Sequence, residues 1–273
     1  MYEFDRSTPV AVAVRALSGV VEITAEERLT VEVEVTPLDG SAAARDAADE
    51  TRVTLDGDAL LIQVPGADSW SWRRTPKLRI TAKVPAGSTL TGKTAAADVR
   101  AAGVYGSARF DAASADLDFG EITGDATLEC QSGDVTVARV GGDLTAKTAS
   151  GRLRIGDVIG DVNLTTASGD VQLRSGGGSL WAAAASGDIE IGRLSRGRAQ
   201  VRTASGDVRV GLAAGTGVWM DLHTASGKTI SDLTPHGPAA AEAAETPLEL
   251  RIRTASGDIH VHRTTAAGDA RAA

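Results

Sequence analysis

The chain has 273 residues, of which 36 are acidic and 28 basic, so its formal net charge is −8, with both signs interspersed along the sequence. This pattern excludes a general nucleic-acid binder, because such a protein needs a basic stripe to bind phosphates. Aromatic residues make up only 3% of the chain, which favours a core of small and β-branched residues over a pocket lined by large rings.

Residues 1–91 show strand patterns without an obvious repeat, and we expect them to form a cap that covers the apolar end of a repeat array. A short helix is predicted over Ser41–Glu50 with Ser41 as its N-cap, and Asp56-Gly57 predicts a hairpin turn. Six apolar or alternating runs predict strands: Val10–Val14, Val20–Thr24, Leu29–Thr36, Arg52–Leu55, Leu60–Val64 and Leu78–Val84.

Residues 92–263 repeat one short phrase, whose cleanest copy is Thr-Ala-Ser-Gly-Asp-Val-Arg-Val at Thr203–Val210. Nine copies occur, and most are eighteen residues apart. A fixed period of this length indicates one small structural unit stacked on itself. The aspartate position of the phrase is occupied in chain order by Asp98, Asp116, Asp134, Arg152, Asp170, Asp188, Asp207, Lys228 and Asp258.

Each eighteen-residue unit divides into two halves, and each half is a glycine turn followed by a short alternating strand. Two all-β topologies fit this pattern. In a parallel β-solenoid of about nine coils each unit is one coil, whereas in an antiparallel β-meander each unit is one hairpin. The solenoid is favoured, because stacking of like on like explains why one residue type recurs at every position. The side chains expected to point inward are Val135, Val137, Leu144, Leu153, Ile155, Val162, Leu164, Val171, Leu173, Ile189 and Ile191.

The repeat loosens near its end. Residues 234–247 form a Pro- and Ala-rich insertion that is predicted to be an exposed loop. Residues 264–273 are predicted to be a disordered tail.

The segment Gly87-Ser-Thr-Leu-Thr-Gly92-Lys93-Thr94 matches the phosphate-binding pattern G-x-x-x-x-G-K-[ST]. That pattern binds phosphate only where a helix follows the loop, because the backbone N–H groups at the helix start contact the phosphates. The repeat instead aligns Lys93 and Thr94 with Lys147 and Thr148, which predicts a strand. We therefore expect no nucleotide cofactor.

The repeated aspartates are candidates for cation binding, because stacking places carboxylates of successive copies next to one another. A second such file runs through Asp125, Asp143 and Asp161. Calcium-binding β-rolls space their ligands as G-G-x-G-x-D, whereas here the aspartate follows the glycine directly. We interpret the aspartates as turn residues whose side chains bond to nearby backbone N–H groups, and we predict no metal site.

No arrangement of residues points to catalysis, and we predict that the protein is not an enzyme. His260 and His262 share one face of the last predicted strand without an evident third ligand, and we interpret them as an exposed edge-strand pair. Cys130 excludes an intramolecular disulfide and is expected to be a small packed residue.

One cluster mixes aromatic and basic residues: Trp70, Trp72, Arg73 and Arg74. Such a cluster suits contact with a partner, although a capping loop whose rings cover the end of the repeat is the favoured interpretation. These four residues are the predicted partner-binding site. Trp181 and Trp219 lie in or beside repeat strands and are expected to pack.

The chain starts without a basic, apolar leader and contains no stretch of eighteen apolar residues. We therefore expect a cytoplasmic protein, and no transmembrane segment supports contact with a membrane or envelope.

The repeated Ala-Ser-Gly-Asp segments at Ala167–Asp170, Ala185–Asp188, Ala204–Asp207 and Ala255–Asp258 resemble the bacterial putative-adhesin family of β-strand-repeat proteins of uncharacterised function. The resemblance covers nearly the whole chain. It implies a β-solenoid-like repeat domain, no known catalysis and, in some relatives, a role at the cell envelope or in the response to membrane-active antibiotics. The many alanines and the excess of arginine over lysine resemble an actinobacterial protein.

Two functions follow as hypotheses. The first is a non-enzymatic scaffold that binds a protein partner or itself through its repetitive β-surface, with no role in nucleic-acid binding. The alternative is a cell-envelope or surface protein that binds carbohydrate, lipid or antimicrobial peptide through the cluster at Trp70–Arg74.

Overall fold

Short strands that meet at glycine turns account for most of the chain. A computed structural model describes residues 1–67, 76–233 and 248–264. The chain divides into two units, Met1–Gly141 (unit 1) and Gly142–Ala273 (unit 2).

Unit 1 contains the helix α1 (Ala42–Glu50), whose N-cap Ser41 accepts a hydrogen bond from Ala44 N through Oγ, as predicted. Its strands are β1 (Tyr2–Asp5), β2 (Ala11–Glu26), β3 (Thr30–Pro37), β4 (Arg52–Asp56), β5 (Ala59–Gln63), β6 (Lys77–Pro85), β7 (Thr89–Tyr105), β8 (Ala108–Ser114), β9 (Leu117–Ile122), β10 (Ala126–Ser132) and β11 (Val135–Val140).

Unit 2 is built in its described part from strands alone. They are β12 (Leu144–Ser150), β13 (Leu153–Val158), β14 (Val162–Ser168), β15 (Val171–Gly176), β16 (Leu180–Ser186), β17 (Ile189–Leu194), β18 (Arg198–Ser205), β19 (Val208–Leu212), β20 (Val218–Ser226), β21 (Thr229–Ser231), β22 (Leu248–Ser256) and β23 (Ile259–Arg263).

Equivalent strands of successive copies pair in parallel, which confirms the β-solenoid and excludes the meander. In unit 2, Leu144 of β12 aligns with Val162 of β14, and Leu153 of β13 aligns with Val171 of β15. Two strands in succession therefore make one coil. All the side chains predicted to point inward are at most 4% exposed, so each coil buries its β-branched and leucine residues against the next.

Residues 1–91 contribute coils as well as covering strands. β2 pairs in parallel with β7 on one side and with β5 and β6 on the other. The turn in β2, Leu17-Ser18-Gly19-Val20, is a weak copy of the repeated phrase, and Ser18 aligns with Ala96 of β7. The boundary predicted at residues 91/92 falls inside β7.

Antiparallel strands and the helix complete unit 1. β3 pairs with β6 and with β1, and β4 pairs with β5 through the predicted Asp56-Gly57 turn. Helix α1 contacts β3 and β6. Within the coils, Tyr105 is fully buried and its Oη donates a hydrogen bond to Ile23 O at 2.8 Å. Burial raises the pKa of this phenol well above its ordinary range.

The last coils of unit 2 do not stack in chain order. β22 pairs with β18 on one side and with β20 on the other, and β23 likewise pairs with β19 and β21. The coil of β22 and β23 therefore lies between the coil of β18 and β19 and the coil of β20 and β21. The interpretation of His260 and His262 as an edge-strand pair is wrong for this reason, because β23 has a partner on both sides.

Candidate functional site

A groove of about 600 Å³ crosses the outer face of unit 2 at the first residues of β12, β14, β16 and β18. The outward side chains that line it are Thr145, Asn163, Trp181 and Gln200, which the parallel register places side by side. Their neighbours Leu144, Val162 and Leu180 point inward and are at most 3% exposed. The solenoid core thus fixes the backbone under the groove and leaves the outward positions to vary.

The turns before these strands form the second wall of the groove. Asp143 Oδ1 accepts a hydrogen bond from Asp161 N at 2.8 Å, and Asp161 Oδ1 accepts one from Ser179 N at 2.7 Å. Arg198 is the first residue of β18, and its Nε donates to Glu249 Oε2 at 2.7 Å. This hydrogen bond and, with it, the positive charges of Arg198 and Arg251 lower the pKa of Glu249.

The two tryptophans of the repeat do not pack in the core, which corrects the prediction for both. Trp181 lines the groove, and Arg202 Cζ lies 5.0 Å from the centroid of its ring. Trp219 is 52% exposed, and Arg251 Cζ lies 5.5 Å from its ring centroid. Each ring stands on the outer face beside a guanidinium, in a cation–π geometry.

The repeated aspartates act as turn residues, as predicted, but each bonds to the following coil rather than to its own turn. Asp188 Oδ1 accepts from Asp207 N at 2.8 Å, and Asp207 Oδ1 accepts from Asp258 N at 2.9 Å. Arg152 interrupts this file, and its Nε lies 3.4 Å from Asp170 Oδ2. Among the described residues there is no group of three or more His, Cys, Asp or Glu side chains that could hold a metal ion.

The histidines of β23 meet a carboxylate, but outside the groove. His260 Nε2 lies 2.9 Å from Asp232 Oδ2, and the rings of His260 and His262 are 5.4 Å apart. Lys93 and Thr94 lie within β7, so the phosphate-binding match is a strand, as the repeat predicted. Cys130 is buried, as expected, and burial raises the pKa of its thiol.

The coil of β20 and β21 is the most exposed coil of unit 2. Within the described ranges, β20 pairs with β22 alone. The inward-facing Val218, Met220 and Leu222 of β20 are only partly buried, whereas their aligned partners Leu248, Leu250 and Ile252 are fully buried. Among the residues that the structure describes, β20 therefore has one unpaired strand edge together with partly exposed apolar side chains.

The predicted partner-binding residues Trp70, Trp72, Arg73 and Arg74 lie outside the described residues, as do the insertion 234–247 and residues 265–273. In the part of the chain that the structure covers, no helix has the length and apolar character needed to cross a membrane.

Solved structures of three other bacterial proteins are similar to this chain at low sequence identity. A "putative lipid binding protein" from Parabacteroides distasonis has a TM-score of 0.50 and 11% identity, with 97% of this chain and 96% of that chain covered. A "putative adhesin" from Bacteroides fragilis has a TM-score of 0.49 and 10% identity, with coverage of 96% and 95%. A second "putative adhesin", from P. distasonis, has a TM-score of 0.42 and 12% identity, with coverage of 95% and 96%.

At 11% identity, the likeness to the first of these structures concerns the fold alone. No curated protein matches the chain. The sequence profile described as Toastrack DUF4097 matches residues 12–262, which is nearly the full length. The chain belongs to the Toastrack DUF4097 family.

Proposed function

We propose that the protein is a non-enzymatic, adhesin-like scaffold that pairs with a second copy of itself through β20. The observation behind the proposal is the contrast between β20 and β22, which have the same inward pattern. Val218, Met220 and Leu222 remain partly exposed where their partners on β22 are fully buried. A strand edge next to apolar side chains is a template for pairing with another strand.

The backbone hydrogen bonds of β20 show which of its groups are available for pairing with a second copy. Leu248 N donates to Gly217 O at 2.9 Å, which sets the alternation of the parallel ladder between β22 and β20. By that alternation, the N–H and C=O groups of Val218, Met220 and Leu222 point to the open edge. Antiparallel pairing of two β20 strands about a twofold axis would satisfy these groups and bury the apolar side chains together.

The second half of the same coil, which contains β21, disfavours the addition of further strands. Lys228 N donates to Asp258 Oδ1 at 2.8 Å, but Lys228 occupies the position at which aspartates accept the bond from the following coil. An ammonium group has no acceptor, and an edge lysine disfavours strand addition. Lys228, Thr229 and Ser231 are all exposed and polar. The expected assembly is therefore a closed dimer and not a filament.

Sedimentation velocity from micromolar to hundreds of micromolar protein tests this proposal. We expect a concentration-dependent dimer for the wild type and a monomer for Leu222→Lys, because the added ammonium at the β20 interface would have to be desolvated. His223→Lys is the matched control, since it adds the same charge at the adjacent exposed position and should still dimerise. A wild-type protein that sediments as a monomer at every concentration would disprove the proposal.

A further inference from the structure

The groove of unit 2 contains side chains that the fold does not need. Its outward positions carry different residue types in successive copies, as Thr145 and Asn163 in the same file show. One of these positions is nevertheless Trp181, in a chain with only 4 tryptophans, and its neighbours in the file are Asn163 and Gln200. A large ring between two amides on an outer face is typical of a binding surface.

From this arrangement we infer that the groove binds a neutral, extended polysaccharide. A sugar ring exposes an apolar C–H face together with hydroxyls that both donate and accept hydrogen bonds. The side of the Trp181 indole that Arg202 does not cover can stack on the apolar face. The amides of Asn163 and Gln200, the hydroxyls of Thr145 and Ser179 and the carboxylate of Asp161 can bond to the hydroxyls.

The charges of the groove favour a neutral ligand over an anionic one. Asp143 and Asp161 line it together with Arg198, which is already paired with Glu249, and the guanidinium of Arg202 lies beside the groove over the Trp181 ring. A phosphate group or an anionic lipid headgroup would meet two carboxylates at close range, and like charges in contact repel. The same charges make nucleic acid an unsuitable ligand.

The polar groups of the groove are held in place before any ligand binds. The bonds from Asp161 N and Ser179 N fix the carboxylates of Asp143 and Asp161, and Arg202 stacks on the ring of Trp181. Preorganised groups lose less conformational entropy on binding. Four parallel strands about 4.8 Å apart also place one outward side chain after another along the groove, which suits an extended ligand.

The inference is tested with neutral β-1,4-linked hexasaccharides of glucose, N-acetylglucosamine and xylose, by titration calorimetry and tryptophan fluorescence. We expect at least one to bind, and Trp181→Ala to weaken that binding by at least tenfold. Asn163→Ala is a second variant with less effect on packing and should weaken the binding several-fold. Trp219→Ala is the matched control, because Trp219 is also outward and beside an arginine but does not line the groove.

Two results would overturn the inference. One is the absence of binding to all three hexasaccharides, and the other is unchanged binding in both Trp181→Ala and Asn163→Ala. Vesicles of phosphatidylglycerol form a separate arm, and Trp181-dependent binding to them in place of the sugars would assign the groove to lipid. The oligomeric state of Trp181→Ala, followed by sedimentation, keeps this result separate from the proposed dimer.

Discussion

The glycine of the Ser-Gly-Asp turn sets how closely two coils can approach. Gly206 has a φ of 143°, a conformation that residues with a side chain rarely adopt. A Cβ atom placed on Gly206 would lie 2.1 Å from Gly187 O, the backbone of the preceding turn. Glycine is therefore required at position 206 for two reasons. Its backbone conformation disfavours a side chain, and a Cβ atom would collide with the backbone of the neighbouring coil.

Gly206→Ala is expected to lower the free energy of unfolding by about 2–4 kcal/mol, because backbone strain and a displaced coil add together. Gly57→Ala is the milder reference, since Gly57 has a φ of 57°, in the left-handed region that residues with a side chain sometimes adopt, and no atom lies within 4 Å of the place that a Cβ would occupy there. It should cost about 1 kcal/mol. Urea unfolding of both variants gives the comparison, and equal losses would show that the space above Gly187 is unimportant.

Each coil is joined to the next by a carboxylate as well as by its strands. The aspartates at the turns form a ladder in which Oδ1 accepts the N–H one coil further on, as between Asp207 and Asp258. Neighbouring carboxylates in this ladder repel each other by about 1 kcal/mol in water. The hydrogen bond that each carboxylate accepts from a backbone N–H offsets this repulsion.

Asp207→Ala removes the acceptor for Asp258 N and is expected to cost about 1 kcal/mol of stability. Asp207→Asn keeps an oxygen that can accept the same bond and removes one charge from the file, so it should stay within about 0.5 kcal/mol of the wild type. Thermal unfolding at low salt measures both. If alanine and asparagine were equally stable, the hydrogen bond would contribute nothing.

The elements that could be predicted from the sequence are those that depend on local pattern. Alternation and glycine turns were enough to predict the inward residues, such as Val135 and Leu164, since strand period and turn chemistry are local properties. The coil in β2 was missed because its Leu17-Ser18-Gly19-Val20 turn lacks the aspartate of the phrase. The outward tryptophans were misjudged because a strand pattern does not state what covers its outer face.

The stacking order of the last coils is a property of the whole chain that no local pattern could reveal. β20 and β22 have the same Thr-Ala-Ser-Gly phrase, so either could pair with β18 in the observed register. The difference lies in their apolar content, because Leu248, Leu250 and Ile252 fill an interior position better than Val218, Met220 and Leu222. The two sets differ by about one methylene group, so burial favours β22 at the inner position by roughly 0.8 kcal/mol.

Deletion of residues 218–247 is expected to leave a folded protein. The coil of β22 and β23 keeps its ladders to β18 and β19, and the lost coil is the most exposed of unit 2. We expect cooperative thermal unfolding with a melting temperature lowered by about 5–10 °C. A deletion variant that is unfolded or aggregated would show that β20 and β21 hold the inner coil in place.

The position of the β22 and β23 coil between the β18 and β19 coil and the β20 and β21 coil also has a consequence for folding during translation. The ribosome releases β20 before β22 has been synthesised, so the strand on which β20 finally rests does not yet exist. Until Ser256 has emerged, β18 has an open edge that β20 matches in register, and the nascent chain can pair in sequence order. A chain that pairs in this order reaches the final structure only if β20 leaves β18 for β22, and strand exchange would then be a late step in its folding.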